Sequence, residues 1–557
     1  MDFVLTLHSH LPWVLHHGRW PHGSDWLCEA AVDTYLPLLV ALETLERARV
    51  DAPVTLGITP VLANQLCHPA FRVELEAFLG QRLEACDEAV PQFRAAGEDH
   101  FIPLARFWRQ HLRRLHRRFR AIDGDLVGAF RTLAARGRIE LTSSAATHGF
   151  LPLLGRDESI RFQLLVGQHE HRRLFGGSAA GCWVPECAYR GSGPWAPLPD
   201  APVRGVRQGL EEALQQAGFE YFHVDAHMAS AGRSLGLYGE TGFVEGMREP
   251  ALDPLDHEHP RSPYKTYRIP CADGGGISVL VRDPLATTRV WSRHQGYPGD
   301  GGYLEFHKSR WPGGLRFWRV TGLDVDLGAK RPWDPNVARA RAHRDASGFR
   351  ELLASLAGRT GPSGGEVIVA PFDTELFGHW WFEGVDFVAD LYRLLTRDGG
   401  VQPVTASRHL AGHPPTQTIR LADGSWGANG DWTMWLNPET EWTWRRLWAL
   451  EDRFWNAAGP ALGRDPAAEV LEQAARELLL AQSSDWQFII TTGAATDYAE
   501  RRFREHCDAL ERLLTVLETG EDPGEDGRRL AAGFRERNDL FPDLRTPLIA
   551  ALSPRGR

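Results

Sequence analysis

Two carboxylates stand just past short apolar runs and among aromatic rings. Glu186 lies in Gly181-Cys182-Trp183-Val184-Pro185-Glu186-Cys187-Ala188-Tyr189, and Asp373 in Ala370-Pro371-Phe372-Asp373-Thr374-Glu375-Leu376-Phe377-Gly378-His379-Trp380-Trp381. Two carboxyl groups in unlike environments, with rings that can cover the C–H face of a sugar, are what glycosidic bond chemistry requires. Glu375, two residues after Asp373, is a second candidate acid. His8-Ser9-His10 places two imidazoles at the end of the first apolar run. Residues i and i+2 share a strand face, so a zinc or iron site is conceivable there. Neutral histidines that hydrogen-bond substrate hydroxyls are the preferred reading.

The chain must position these groups with parallel strands. Strand-like runs at 3–7, 54–59, 139–142, 180–184, 221–224, 277–281 and 367–370 alternate with helical patterns such as 158–175, 209–217 and 385–396. That alternation predicts a parallel sheet of β-α units, either an open doubly wound sheet or a barrel. Polar residues recur just after the runs: His8, His10, His148, Glu186, Asp225, His227, Asp283 and Asp373. Both architectures put their chemistry at the carboxyl ends of strands, so these residues mark the site. The expected organisation is a catalytic domain at 1–60 and 135–410, a helical insertion at 61–134 and a C-terminal helical domain at 411–557, with helices near 439–456, 466–482 and 497–517.

Composition sets the outer bounds. The 557 residues are 43% hydrophobic and 24% charged, with a formal net charge of -10. This suits a large globular core and argues against nucleic acid or an anionic membrane as partner. Residues 106–120 hold seven arginines around Phe107, Trp108 and Phe119; in an acidic chain this reads as a solvated helix face. The odd number of cysteines, seven, fits reduced thiols and a cytoplasmic location. Neither a signal peptide nor an apolar run long enough to span a membrane is visible. Twenty tryptophans stand against four methionines. Any one of them can be packing or a sugar platform, and Trp426 and Trp435, set among Gly, Asn and Asp, read as platforms.

The ordered set His8-Ser9-His10-Leu11-Pro12, Glu140-Leu141-Thr142 with Thr147-His148-Gly149, Trp183-Val184-Pro185-Glu186-Cys187-Ala188-Tyr189 and Ala370 to His379 resembles glycoside hydrolase family 57. Val290-Trp291-Ser292, Gly296-Tyr297-Pro298-Gly299-Asp300, Ser425-Trp426-Gly427 and Trp435-Leu436-Asn437 resemble the 1,4-α-glucan branching enzymes of that family. The resemblance implies a distorted (β/α)7 barrel with a helical insertion and an all-helical C-terminal domain. It implies Glu186 as nucleophile and Asp373 as general acid/base of a retaining double displacement, acting on amylose or a glycogen-like polymer without metal or cofactor. It also implies that His10, His148, Trp291, Trp426, Trp435 and Trp486 line the glucan subsites. The glycine-rich stretch 231–246 matches a loop that covers the cleft in relatives, with Tyr238 at its tip. The acidic, proline-bearing stretch 249–260 departs from the pattern, and Trp432 stands where a histidine is expected. Glu140 is expected to support His148 or a neighbouring arginine. An α-amylase or 4-α-glucanotransferase of the same fold, and a non-catalytic glucan-binding protein, are the alternatives.

Overall fold

The computed structural model describes residues 1–198, 200, 205–229, 261–292, 296–359 and 364–553. Tyr238, the rest of the 231–246 stretch and residues 249–260 lie outside the described residues.

Seven strands form the barrel: β1 (Asp2–Ser9), β2 (Val54–Ile58), β3 (Ile139–Ser144), β4 (Gly181–Trp183), β5 (Tyr221–Val224), β6 (Gly276–Val281) and β7 (Val367–Asp373). They run β7-β1-β2-β3-β4-β5-β6, and every neighbouring pair is parallel. Closure between β6 and β7 rests on one parallel bridge, Arg282 to Val369, with Asp283 N donating to Val369 O at 2.8 Å. This thin seam is the distortion of the barrel. The strand Tyr267–Pro270, which the sequence pattern did not indicate, pairs antiparallel with β6. Strands covered on both faces must be apolar along their whole length, which is why β1, β2 and β7 read as continuous runs rather than alternations.

Between β2 and β3 the helices Pro69–Ala96 and Ile102–Ala121 pack on one another. Trp108 and Phe119 are buried, while the arginines of the same helix meet carboxylates: Arg109 with Asp87 at 2.6 Å, Arg120 with Glu76 at 2.8 Å, and Arg118 with Glu43. The basic run is thus the outer, salt-bridged side of an amphipathic helix.

After the barrel come the helices Glu441–Leu462, Ala468–Ala481, Asp485–Thr492 and Thr496–Glu518. Their apolar faces join the same core as the barrel. The loop after β1 is bolted to them: Trp13 Nε1 donates to Arg537 O at 2.9 Å, and the buried Arg502 guanidinium donates to Trp13 O at 2.8 Å. Among the described residues no helix is long and apolar enough to cross a membrane.

Candidate active site

The parallel register places His8 opposite Asp373 at the carboxyl ends of β1 and β7, so the two sequence motifs farthest apart become neighbours. Glu186 follows β4 in a single 3-10 turn with φ 61°, and His148 follows β3 with φ 57°. A non-glycine residue in the left-handed region costs about 1–3 kcal/mol and persists only where its surroundings hold it. Trp426 holds Glu186 twice: its backbone N donates to Glu186 O at 3.0 Å, and its indole Nε1 donates to Glu186 Oε2 at 2.7 Å. Ser484 hydroxyl lies 3.5 Å from Glu186 Oε1, and His148 Nδ1 lies 3.8 Å from the same oxygen.

Burial pushes both carboxyls up, Glu186 to about 8 and Asp373 to about 7. The negative charge of Asp373 adds to the rise at Glu186, while Arg282 and His10 pull Asp373 down. They therefore titrate as a pair holding about one proton near neutrality. Burial makes Glu186 the later of the two to ionise even with the Trp426 donor in place, which narrows that order without reversing it. An indole N–H can only donate, so it favours the carboxylate of Glu186. The Asp373 carboxyl accepts no hydrogen bond from the described residues, which leaves it open to a substrate oxygen.

Three imidazoles form a stack beside the pair. His10 and His148 rings are 4.0 Å apart, His8 and His148 5.0 Å, and His8 lies 4.7 Å over Trp183. His8 Nε2 and His148 Nε2 share a hydrogen bond of 3.0 Å, and burial drives both groups well below their ordinary values. They are neutral hydrogen-bonding rings. A second cluster, His16, His68 and Asp539, brings one ligand atom of each within 4.8 Å of the others. His68 Nδ1 accepts the Ala70 N–H there, so Nε2 carries the proton and donates to Asp539 at 3.0 Å; this leaves no lone pair for a metal.

Two residues of the site carried no signal in the strand pattern. Asp485, from the C-terminal helices, accepts from His10 Nε2 at 2.9 Å while Thr59 takes its Nδ1 at 3.1 Å. Burial raises the Asp485 carboxyl, and His10 overcomes this and holds it below its ordinary value. Arg282, at the end of β6, lies 3.6 Å from Asp225 and 5.1 Å over the Trp426 ring. The polar run Gln482-Ser483-Ser484-Asp485 between two apolar helices was the available clue to the first; Arg282 offered none. Glu375 faces away from the reacting side, accepting from Tyr35 hydroxyl at 2.5 Å and from His10 N at 3.1 Å.

The tryptophans divide. Trp426 touches Glu186, and Trp291 is half-buried at the rim, 6.1 Å from the exposed ring of Trp380. Trp435 and Trp486, expected to line the subsites, are both 0% exposed. Trp435 stacks on Phe150 at 4.5 Å and lies so close behind residue 427 that a Cβ there would meet it at 2.7 Å. Trp486 donates to Leu480 O at 2.8 Å beneath Arg502. Both are packing that supports the Trp426 and Asp485 segments, because each ring face is already covered. Glu140 also departs from expectation: it lies at the start of β3, where Tyr221 hydroxyl donates to it at 2.6 Å and Ser407 N at 3.0 Å, far along the strand from His148. Trp432 donates to Gly424 O at 3.3 Å.

Comparison with known proteins agrees with this fold. The glycosyl hydrolase family 57 model matches residues 4–422, and a model of the 1,4-alpha-glucan branching enzyme C-terminal region matches residues 447–548. A 1,4-alpha-glucan branching enzyme of Thermococcus kodakarensis is 38% identical over 556 residues, covering 99% of this chain and 79% of that protein. A crystal structure of a family 57 branching enzyme from Thermococcus kodakaraensis, in complex with glucose, superposes with a TM-score of 0.89 at 36% identity, covering 100% of this chain and 97% of that one. The α-amylase AmyC of Thermotoga maritima superposes with a TM-score of 0.80 at 28% identity, covering 98% and 99%. With strands, carboxyl pair and sequence in agreement over most of its length, the chain belongs to glycosyl hydrolase family 57.

Proposed function

We propose that the protein is a 1,4-α-glucan branching enzyme that breaks an α-1,4 bond and rejoins the released chain through an α-1,6 bond. One observation carries the choice within the family. The segment matching the branching-enzyme C-terminal model, 447–548, supplies Ser484 and Asp485, which reach Glu186 and His10. That segment is therefore part of the catalytic surroundings, not an appendage to them.

Protonated Asp373 gives its proton to the leaving glycosidic oxygen as ionised Glu186 attacks the anomeric carbon, forming a glucan ester. Asp373 then takes the proton of an acceptor 6-hydroxyl, whose oxygen displaces Glu186 with net retention. His10 and neutral His148 hold hydroxyls of the sugar at the break, and Trp291 and Trp426 cover its faces. The role of Tyr238 rests on the sequence resemblance. The seven cysteines are free thiols, which suits a reducing cytoplasm, and a glycogen-type polymer is the product we assign.

Amylose is the discriminating substrate. Branching lowers iodine absorbance with few new reducing ends and creates linkages sensitive to a debranching enzyme. Reducing ends alone would establish hydrolysis, as in the amylase of the same fold, and no change, with the protein still retarded by amylose in a native gel, would establish binding without turnover.

A further inference from the structure

Asp225 and His227, just past β5, and Arg282, just past β6, neither attack nor donate in the double displacement, yet Asp225 and Arg282 are buried. The helix Pro284–Trp291 fixes the direction of the Arg282 side chain. Asp283 caps that helix by accepting the Ala286 N–H at 2.6 Å, and Arg282 Nε donates to the Thr287 hydroxyl at 3.3 Å. The guanidinium then lies 3.6 Å from Asp225 Oδ2 and 5.1 Å over the Trp426 ring. His227 flanks the same oxygen, with Nδ1 3.7 Å from it and Nε2 donating to Gly430 O at 2.9 Å. A carboxylate at 3.6 Å anchors the guanidinium by charge without turning it off the indole.

The indole under Arg282 is the one that donates to Glu186 at 2.7 Å. A cation over an indole face is attracted by the ring electrons and draws density from the N–H, which becomes a better donor to a carboxylate. The same charge reaches Asp373: burial raises that carboxyl, and Arg282 and then His10 pull it down. Cys187 feels the charges of the cluster together. Burial lifts its thiol well above the ordinary value, Arg282 pulls against this, and Asp225, Glu186 and Asp373 add to it. Asp373 also faces Glu186 and Glu375, and His227 faces Arg282.

We propose that Arg282 is a positioning residue for both carboxyls, its guanidinium holding the Trp426 indole on Glu186 and setting a positive charge against Asp373, with Asp225 as its anchor. The inference rests on the reading of Glu186 as nucleophile and Asp373 as acid. A fixed cation in an otherwise apolar wall keeps the pair from holding two protons near neutrality, a state with no carboxylate to attack.

Arg282→Met keeps bulk against Trp426 and removes the charge. Amylose turnover, followed by iodine absorbance and reducing ends from about pH 5 to 10, is expected to show kcat lowered roughly tenfold with KM within about twofold. The limb on which rate falls with pH is expected to move upward by about one unit, because Asp373 keeps its proton longer. Arg282→Lys, which restores the charge but not the flat stack, is expected to return that limb to its wild-type position while recovering only part of kcat. Removing one partner of a buried ion pair destabilises a fold. If Arg282→Met lowers the thermal midpoint, Arg282→Met with Asp225→Asn takes its place, with the same upward shift expected. A falling limb unmoved in these variants, or moved equally by Arg282→Lys and Arg282→Met, overturns the role of Arg282 and leaves the branching reading intact. A wild-type protein without turnover of amylose overturns the reading of the carboxyl pair as well.

Discussion

Replacing Trp426 by Phe isolates one hydrogen bond, the 2.7 Å donation from its indole to Glu186. The phenyl ring keeps the edge contact with Trp183, 4.9 Å away, and removes only the N–H and the smaller ring. A hydrogen bond to a charged group in buried surroundings contributes about 1.5–3 kcal/mol. Glu186 is already raised to about 8 by burial, so the loss falls on the ionised form that must attack. Each 1.4 kcal/mol is about a factor of ten, which predicts a kcat near neutrality lowered roughly 10- to 100-fold. The sign on pH is fixed as well: the limb on which rate rises with pH moves upward by about one to two pH units, and alkaline buffer recovers part of the loss. Branching of amylose followed by iodine absorbance over about pH 5 to 9, with KM recorded at each point, is the assay. A Trp426→Phe enzyme with a pH profile like wild type, or one altered in KM alone, would refute the argument and leave Trp426 as a sugar platform only.

Glu186→Gln should abolish both transfer and hydrolysis while leaving the thermal midpoint within about 2 °C, checked by reducing-end release and calorimetry. Asp485→Asn should lower kcat/KM about tenfold by freeing His10 from its 2.9 Å partner, with no change in the debranched chain profile; an altered chain profile would assign Asp485 to acceptor choice instead. Glu383, raised to about 8, is protonated in the fold and stabilising below its unfolded value near 4.3. That contribution fades as pH climbs toward 8, so Glu383→Gln should flatten the decline of folding free energy between about pH 5 and 8 by an amount on the order of a few kcal/mol, read from denaturant unfolding at each pH. Parallel slopes for the two proteins would remove Glu383 from the account.

All seven barrel strands were visible in the sequence because a strand covered on both faces must be apolar throughout, and the candidate site residues follow their carboxyl ends. Tyr221–Val224 was read to the residue, whereas β7 runs three residues further than its apolar core suggested, since Pro371 and Phe372 continue the pairing with β1. The strand Tyr267–Pro270 escaped notice, as a short edge strand with alternating burial has little pattern of its own. Within the site, Glu186, Asp373, His10 and His148 were legible from type and position. Trp435 and Trp486 were misread because a glycine- and polar-rich neighbourhood does not reveal whether a ring points into a cleft or behind it. Asp485 was missed for a different reason: the polar run 482–485 marks a break between helices, but it reaches His10 by tertiary packing and no local pattern encodes that partner.

The bond between His10 and Asp485 joins residues 475 positions apart. A ribosome making this chain delivers Glu186 early and Asp373 two thirds of the way through, yet the His10 ring lacks its Asp485 partner until the C-terminal helices emerge and dock. Closing so long a loop is slow and is compensated only when the last contacts form.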